Sequence, residues 1–141
     1  MAQVIFSNHA AVRVRRAERE RIRKFYRDVL GCKLKRELDD KDDFQIGDVH
    51  IAFLYAKGDG RGADKGVNYA PEDALSDDDF LKAIYLELGA DNVQEMRQKI
   101  IAFGVKVLPG PDPHLYFQAP GGQCWRLVGI NEDLSKYEGN G

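Results

Sequence analysis

His9, His50 and Tyr85, together with Arg13, Glu87, Cys124 and Arg126, are the side chains of this sequence whose types and spacing could do chemistry. An imidazole titrates near working pH, so His9 or His50 could serve as a general base, with Tyr85 as a proton donor. Arg126 could stabilise developing negative charge, or bind a carboxylate, enolate or phosphate-like oxygen. Arg13 or Arg126 could equally pair with Glu87 in a structural ion pair. Cys124 has neither a helix N-terminus nor a matched histidine in sequence, so its thiol is expected to be unactivated. Strand parity links these residues: His9 with Arg13, His50 with Ala52, Tyr85 with Glu87, and Cys124 with Arg126 each share one face of a strand.

The elements that must position them follow from periodicity. Residues 9–14 alternate as a strand, with Ala10, Val12 and Val14 on the drier face. Ile22, Phe25, Tyr26, Val29 and Leu30 then form the stripe of an amphipathic helix that Gly31 stops. Strands are predicted at 33–38, 43–46 and 49–56. Four glycines, one proline and seven acidic residues mark 58–79 as a connecting loop, with the length to act as a lid. Beyond it, a strand at 84–88 leads to a helix that Asp91 could cap. Its stripe is Val93, Met96, Ile100 and Phe103, and Gly104 ends it. Strands are predicted again at 105–108, 115–118 and 123–129. Both halves thus read β-α-β-β-β. Residues about 74 positions apart match in kind, among them Val14 with Leu88, Gly31 with Gly104, and Phe44-Gln45 with Phe117-Gln118. Each module alone would leave one sheet face uncovered, so two modules are expected to enclose a cleft, the natural place for a ligand.

Composition limits the function classes. The chain has 141 residues, 43% hydrophobic and 31% charged, which excludes a disordered tail or a low-complexity linker. A net charge of −2 gives no global positive field for nucleic acid or an anionic membrane. The basic run from Arg13 to Arg27 is expected to be the solvated face of the first helix. Glu72, Asp73, Asp77, Asp78 and Asp79 lack EF-hand spacing, and Gly58, Gly60, Gly62 and Gly66 lack the ending of a phosphate loop. Cys32 and Cys124 form no disulfide framework, and Val4-Ile5-Phe6 is too short an apolar stretch for a signal peptide. A soluble, cytoplasmic protein is expected.

Three separated segments carry a family resemblance: His9-Ala10-Ala11-Val12-Arg13-Val14, Phe25-Tyr26-Arg27-Asp28-Val29-Leu30-Gly31, and Tyr116-Phe117-Gln118-Ala119-Pro120-Gly121-Gly122. In this order they resemble the vicinal oxygen chelate superfamily of glyoxalases, bleomycin-resistance proteins, fosfomycin-resistance proteins and extradiol dioxygenases. The resemblance spans about His9 to Val128 and implies an α+β fold of two tandem βαβββ modules, here 4–57 and 80–130, forming one domain over 1–141. It also implies that His9, Arg13, His50, Tyr85, Glu87, Cys124 and Arg126 face the cleft, and that the protein forms a homodimer. Metal-dependent relatives would place their four ligands at His9, Ala83, Ala52 and Arg126. Three of those positions carry no donor for a divalent cation, and a guanidinium would repel one. No metal cofactor is therefore expected, and the expected partner is a small organic molecule. The alternative is a glyoxalase-type lyase, isomerase or dioxygenase whose ion has moved to His9, His50 and Glu87.

Overall fold

A computed structural model describes residues 2–55 and 84–135. The chain divides into two units, Met1–Tyr69 and Ala70–Gly141. The expected loop at 58–79 and the candidate position Ala83 lie outside the described residues.

In the first unit, β1 (His9–Val14) leads through a 3-10 turn (Arg16–Glu18) into α1 (Arg19–Arg23), which widens into a π-helical turn over Lys24–Val29. Strands β2 (Lys33–Leu38), β3 (Lys41–Ile46) and β4 (Val49–Tyr55) complete a sheet ordered β1-β4-β3-β2. Only the β1–β4 pair is parallel. The predicted single helix is thus three helical segments. In the π turn the Leu30 amide donates to the Phe25 carbonyl at 3.0 Å, so one extra residue is accommodated. Gly31 then takes a φ of 75°, where a side chain would be strained. Ile22, Phe25 and Tyr26 are buried, and the Tyr26 ring packs against Phe44 and Phe53, its centroid 4.8 Å from that of Phe53. Each such side chain contributes about 1.5–3 kcal/mol on burial.

The second unit repeats the order. β5 (Tyr85–Ala90), α2 (Val93–Phe103), β6 (Lys106–Leu108), β7 (Leu115–Gln118) and β8 (Cys124–Gly129) form a sheet ordered β5-β8-β7-β6, with β5 and β8 parallel. The expected α+β architecture of two βαβββ modules is present. The α2 cap is Asn92 rather than Asp91: its side chain accepts from the Glu95 amide at 3.1 Å. Gly104 ends the helix with a φ of 96°.

The basic run departs from expectation. Asp42 sits on the helix-facing side of β3, directly opposite Phe53, and is fully buried. Two arginines leave the solvated face to reach it. Arg23 Nε donates to Asp42 Oδ2 at 2.8 Å, Arg19 Nη2 to Oδ1 at 2.9 Å, and the Tyr55 hydroxyl to Oδ2 at 2.8 Å. Burial alone would push this carboxyl up, but the bonds from Arg23, Tyr55 and Arg19 outweigh it and hold it below its usual range. Arg16 and Arg19 also donate to the Asp39 carbonyl, tying the helix to the β2–β3 turn.

Replacing Asp42 with Asn should lower stability by about 3 kcal/mol, since it leaves two arginines short of their counter-charge. Urea unfolding measures this, and an unchanged midpoint would contradict it. The folded carboxyl titrates below its unfolded value. Its contribution is therefore complete above the unfolded pKa and lost as pH falls through the folded one. D42N should accordingly lose less stability on acidification than the native chain.

Candidate functional site

The strand registers sort the candidate residues onto the faces that the helices do not cover. In the first unit, β1 and β4 pair His9 with His50, Ala11 with Ala52 and Arg13 with Leu54. Asp43 and Gln45 of β3 lie opposite Ala52 and His50 and share that face. His9 and Arg13 are exposed, whereas His50 is half-buried. His50 Nδ1 and Asp43 Oδ1 are 3.8 Å apart, too far for a hydrogen bond, and both atoms are buried without a partner.

In the second unit the same face forms two rows across three strands. One row is Gln118, Cys124 and Tyr85; the other is Tyr116, Arg126 and Glu87. Tyr85 and Tyr116 belong to strands separated by β8, yet their ring centroids are 5.6 Å apart. Two strand spacings amount to roughly 9–10 Å, so the rings must lean together over β8. Burial raises the Cys124 thiol, which disfavours the thiolate a nucleophile would need.

Arg126 is held by two carboxylates. Its Nη1 donates to Glu87 Oε2 at 2.6 Å and its Nη2 to Asp112 Oδ2 at 3.0 Å, while its side chain is only 8% exposed. Asp112 also accepts from the Tyr116 hydroxyl at 2.8 Å, and from the His114 amide at 3.0 Å. His114 Nδ1 lies 2.8 Å from Asp112 Oδ1. Four contacts fill the acceptor sites of this carboxylate. Burial would raise it, but His114, Tyr116 and Arg126 together hold it below its usual range. The chain of polar contacts continues from His114 Nε2 to Glu132 Oε2 at 2.6 Å, and Glu132 Oε1 accepts from the Gly129 amide at 3.0 Å. His114 and Glu132 also border a cavity of about 540 Å³ beside Val93 and Arg97 of α2. The network therefore runs from the helix-free face to the helix side of the same unit.

Of the sequence candidates, the structure brings Arg126 and Glu87 into contact, makes His9 and His50 cross-strand neighbours, and leaves Arg13 exposed on the first sheet. Asp112, His114, Tyr116 and Glu132 carry the network without having been singled out by spacing. An aspartate between Pro111 and Pro113, two residues before a histidine, is the local signal that points to a structured turn there.

The sequence profile of the Glyoxalase/Bleomycin resistance protein/Dioxygenase superfamily matches residues 7–120. The chain belongs to this superfamily. Solved structures agree on the fold. An integron cassette protein from the mobile metagenome of V. Cholerae superposes with a TM-score of 0.62 at 17% identity, covering 93% of this chain and 99% of its own. The fosfomycin resistance protein FosX from Mesorhizobium loti gives 0.59 at 15% identity, covering 97% and 100%. Lactoylglutathione lyase from Agrobacterium tumefaciens gives 0.53 at 15% identity, covering 84% and 90%. No curated protein sequence matches the chain.

For this superfamily member, the residues at the ligand positions implied by the resemblance do not fit a divalent cation. Ala52 offers no lone pair, and Arg126 is a cation whose two terminal nitrogens are already bonded to Glu87 and Asp112. In the relocated set, the Oε2 of Glu87 is engaged by Arg126. Among the described residues no group of three or more His, Cys, Asp or Glu side chains is arranged to hold a metal ion.

Gly110 fixes the Tyr116 ring. A Cβ there would run into Tyr116 Cδ2 and Cε2. Gly110→Ala should displace the ring that donates to Asp112 and cost about 1–3 kcal/mol. Thermal unfolding checks this, and a stability equal to the native chain's would contradict it.

Proposed function

We propose that the protein binds a small organic molecule at the helix-free faces of its sheets, without a family metal, and holds it without turnover. Arg126 is the observation that supports this reading most strongly. At a position where the family resemblance implies a ligating carboxylate, it is a guanidinium neutralised by Glu87 and Asp112. Its side chain therefore fixes the shape and polarity of the face and supplies no site for a cation. The cleft expected between two such modules, the homodimer and the cytoplasmic setting form part of the same proposal. They rest on the family resemblance and on the sparse cysteines, both of which are buried and free. Among the described residues no helix is long and apolar enough to cross a membrane.

A second reading draws on the first sheet. His9 and His50 are direct cross-strand neighbours, and His50 Nδ1 has no hydrogen-bond partner. A lyase, isomerase or dioxygenase could use this pair as a base, or as two ligands of a relocated ion, with Tyr85 as proton donor and Glu87 as the third ligand.

Metal analysis of protein purified without chelator separates the two. The binding reading expects substoichiometric transition metal, with no change on replacing His9 by Ala. About one equivalent per chain that is lost in His9→Ala would reverse the ranking.

A further inference from the structure

We infer that the helix side of the second unit carries a binding site for a small monocarboxylate with an apolar body, in the cavity between α2 and the turn that bears His114. The site is independent of the binding function proposed above, which concerns the helix-free faces. The cavity holds about 540 Å³, within the size of small-molecule sites, roughly 300–1,000 Å³. Its floor is Leu115 and Leu127, which lie opposite each other in the β7–β8 register and are buried. Its walls are open to solvent, so a ligand can enter: Gln94 and Pro113 are exposed, and Val93 and Arg97 are half-buried. Val93, Gln94 and Arg97 stand at i, i+1 and i+4 of α2, a spacing that turns all three toward one side of the helix.

The polar groups of this cavity divide into committed and uncommitted ones. His114 Nδ1 and Nε2 lie against Asp112 and Glu132, and the second Glu132 oxygen accepts from the Gly129 amide. The Gly129 amide and His114 hold the Glu132 carboxyl below its usual range. That wall is therefore fixed before any ligand arrives. On the opposite wall, neither the Gln94 amide nor the Arg97 guanidinium has a hydrogen-bond or ion-pair partner among the described residues. Glu95, the acid nearest Arg97 on the same helix, pairs with Lys99 at 3.4 Å instead.

Charge and shape select the ligand class. A planar guanidinium with no counter-charge matches a carboxylate, which it can bind through two parallel hydrogen bonds. The Gln94 amide can donate to the same group. A dianion such as phosphate would add a second negative charge near Glu132 with no second free cation to meet it. Val93, Pro113, Leu115 and Leu127 give the rest of the molecule an apolar surface to cover.

The probes are hexanoate, hexanamide and inorganic phosphate, each titrated into the full-length protein while methyl resonances are followed by NMR. Hexanoate should shift the methyls of Val93, Leu115 and Leu127 and leave those of Ala11, Ala52 and Val128, on the helix-free faces, in place. Hexanamide and phosphate should bind at least about tenfold more weakly, and Arg97→Gln should lower the hexanoate affinity about tenfold, as expected for losing a charge-assisted hydrogen bond. The contrast between the three probes is read in the native chain, so the inference stays testable should the variant misfold. Equal binding of hexanoate and hexanamide, or an unchanged affinity in a folded Arg97→Gln protein, would overturn the inference. Shifts confined to Ala11, Ala52 and Val128 would overturn it too, while supporting binding at the helix-free faces. So would the absence of any shift at Val93, Leu115 and Leu127.

Discussion

A buried guanidinium must have its counter-charge at hand, and that requirement shapes the second sheet of this protein. Arg126 meets it with one carboxylate from the neighbouring strand and another from the turn before β7. The two partners come from elements far apart in sequence, so the pairings fix how strand and turn sit relative to one another. Removing both would leave a cation without counter-charge in a place that water scarcely reaches, which is costly even though intact buried ion pairs add little net stability over a hydrophobic replacement. Asp112 is saturated by the same arrangement, and this links Tyr116 and His114 to the ion pair. Chemistry at the face is consequently limited to what the uncommitted atoms can do.

The first unit solves a related problem on the opposite side of its sheet. Asp42 points toward the helix and draws Arg19 and Arg23 inward, so its buried charge clamps helix to sheet. In the second unit the buried charge lies on the face away from the helix. Two modules of the same β-α-β-β-β order thus place ionic networks on different faces. One network supports packing of the helix, and the other lies on the helix-free face of its sheet.

Much of the architecture was legible from periodicity. Alternation located β1, β2, β7 and β8 to within a residue at either end, and the glycines after each helical stripe stand in the left-handed region as a stop requires. The π turn was not legible, because an extra residue leaves the apolar stripe of Ile22, Phe25 and Tyr26 intact while changing the hydrogen bonding. The inward turn of Arg19 and Arg23 escaped for another reason. Helical spacing sets which way a side chain starts, but a long arginine can bend back to a buried acid that lies about twenty residues away in sequence. At the candidate site, strand parity read with the family resemblance put Glu87 and Arg126 on one face, and their pairing was among the alternatives. Asp112, His114 and Glu132 lie in turns, where no period exists to be read.

The central claim is that Arg126 is pinned by Glu87 and Asp112, and the most direct measurement is the ¹⁵N spectrum of its guanidinium. With both terminal nitrogens engaged, rotation about the Nε–Cζ bond should be slow enough to resolve two Nη signals, which should merge in Glu87→Gln. A single averaged Nη signal in the native protein, unchanged by that substitution, would contradict the account.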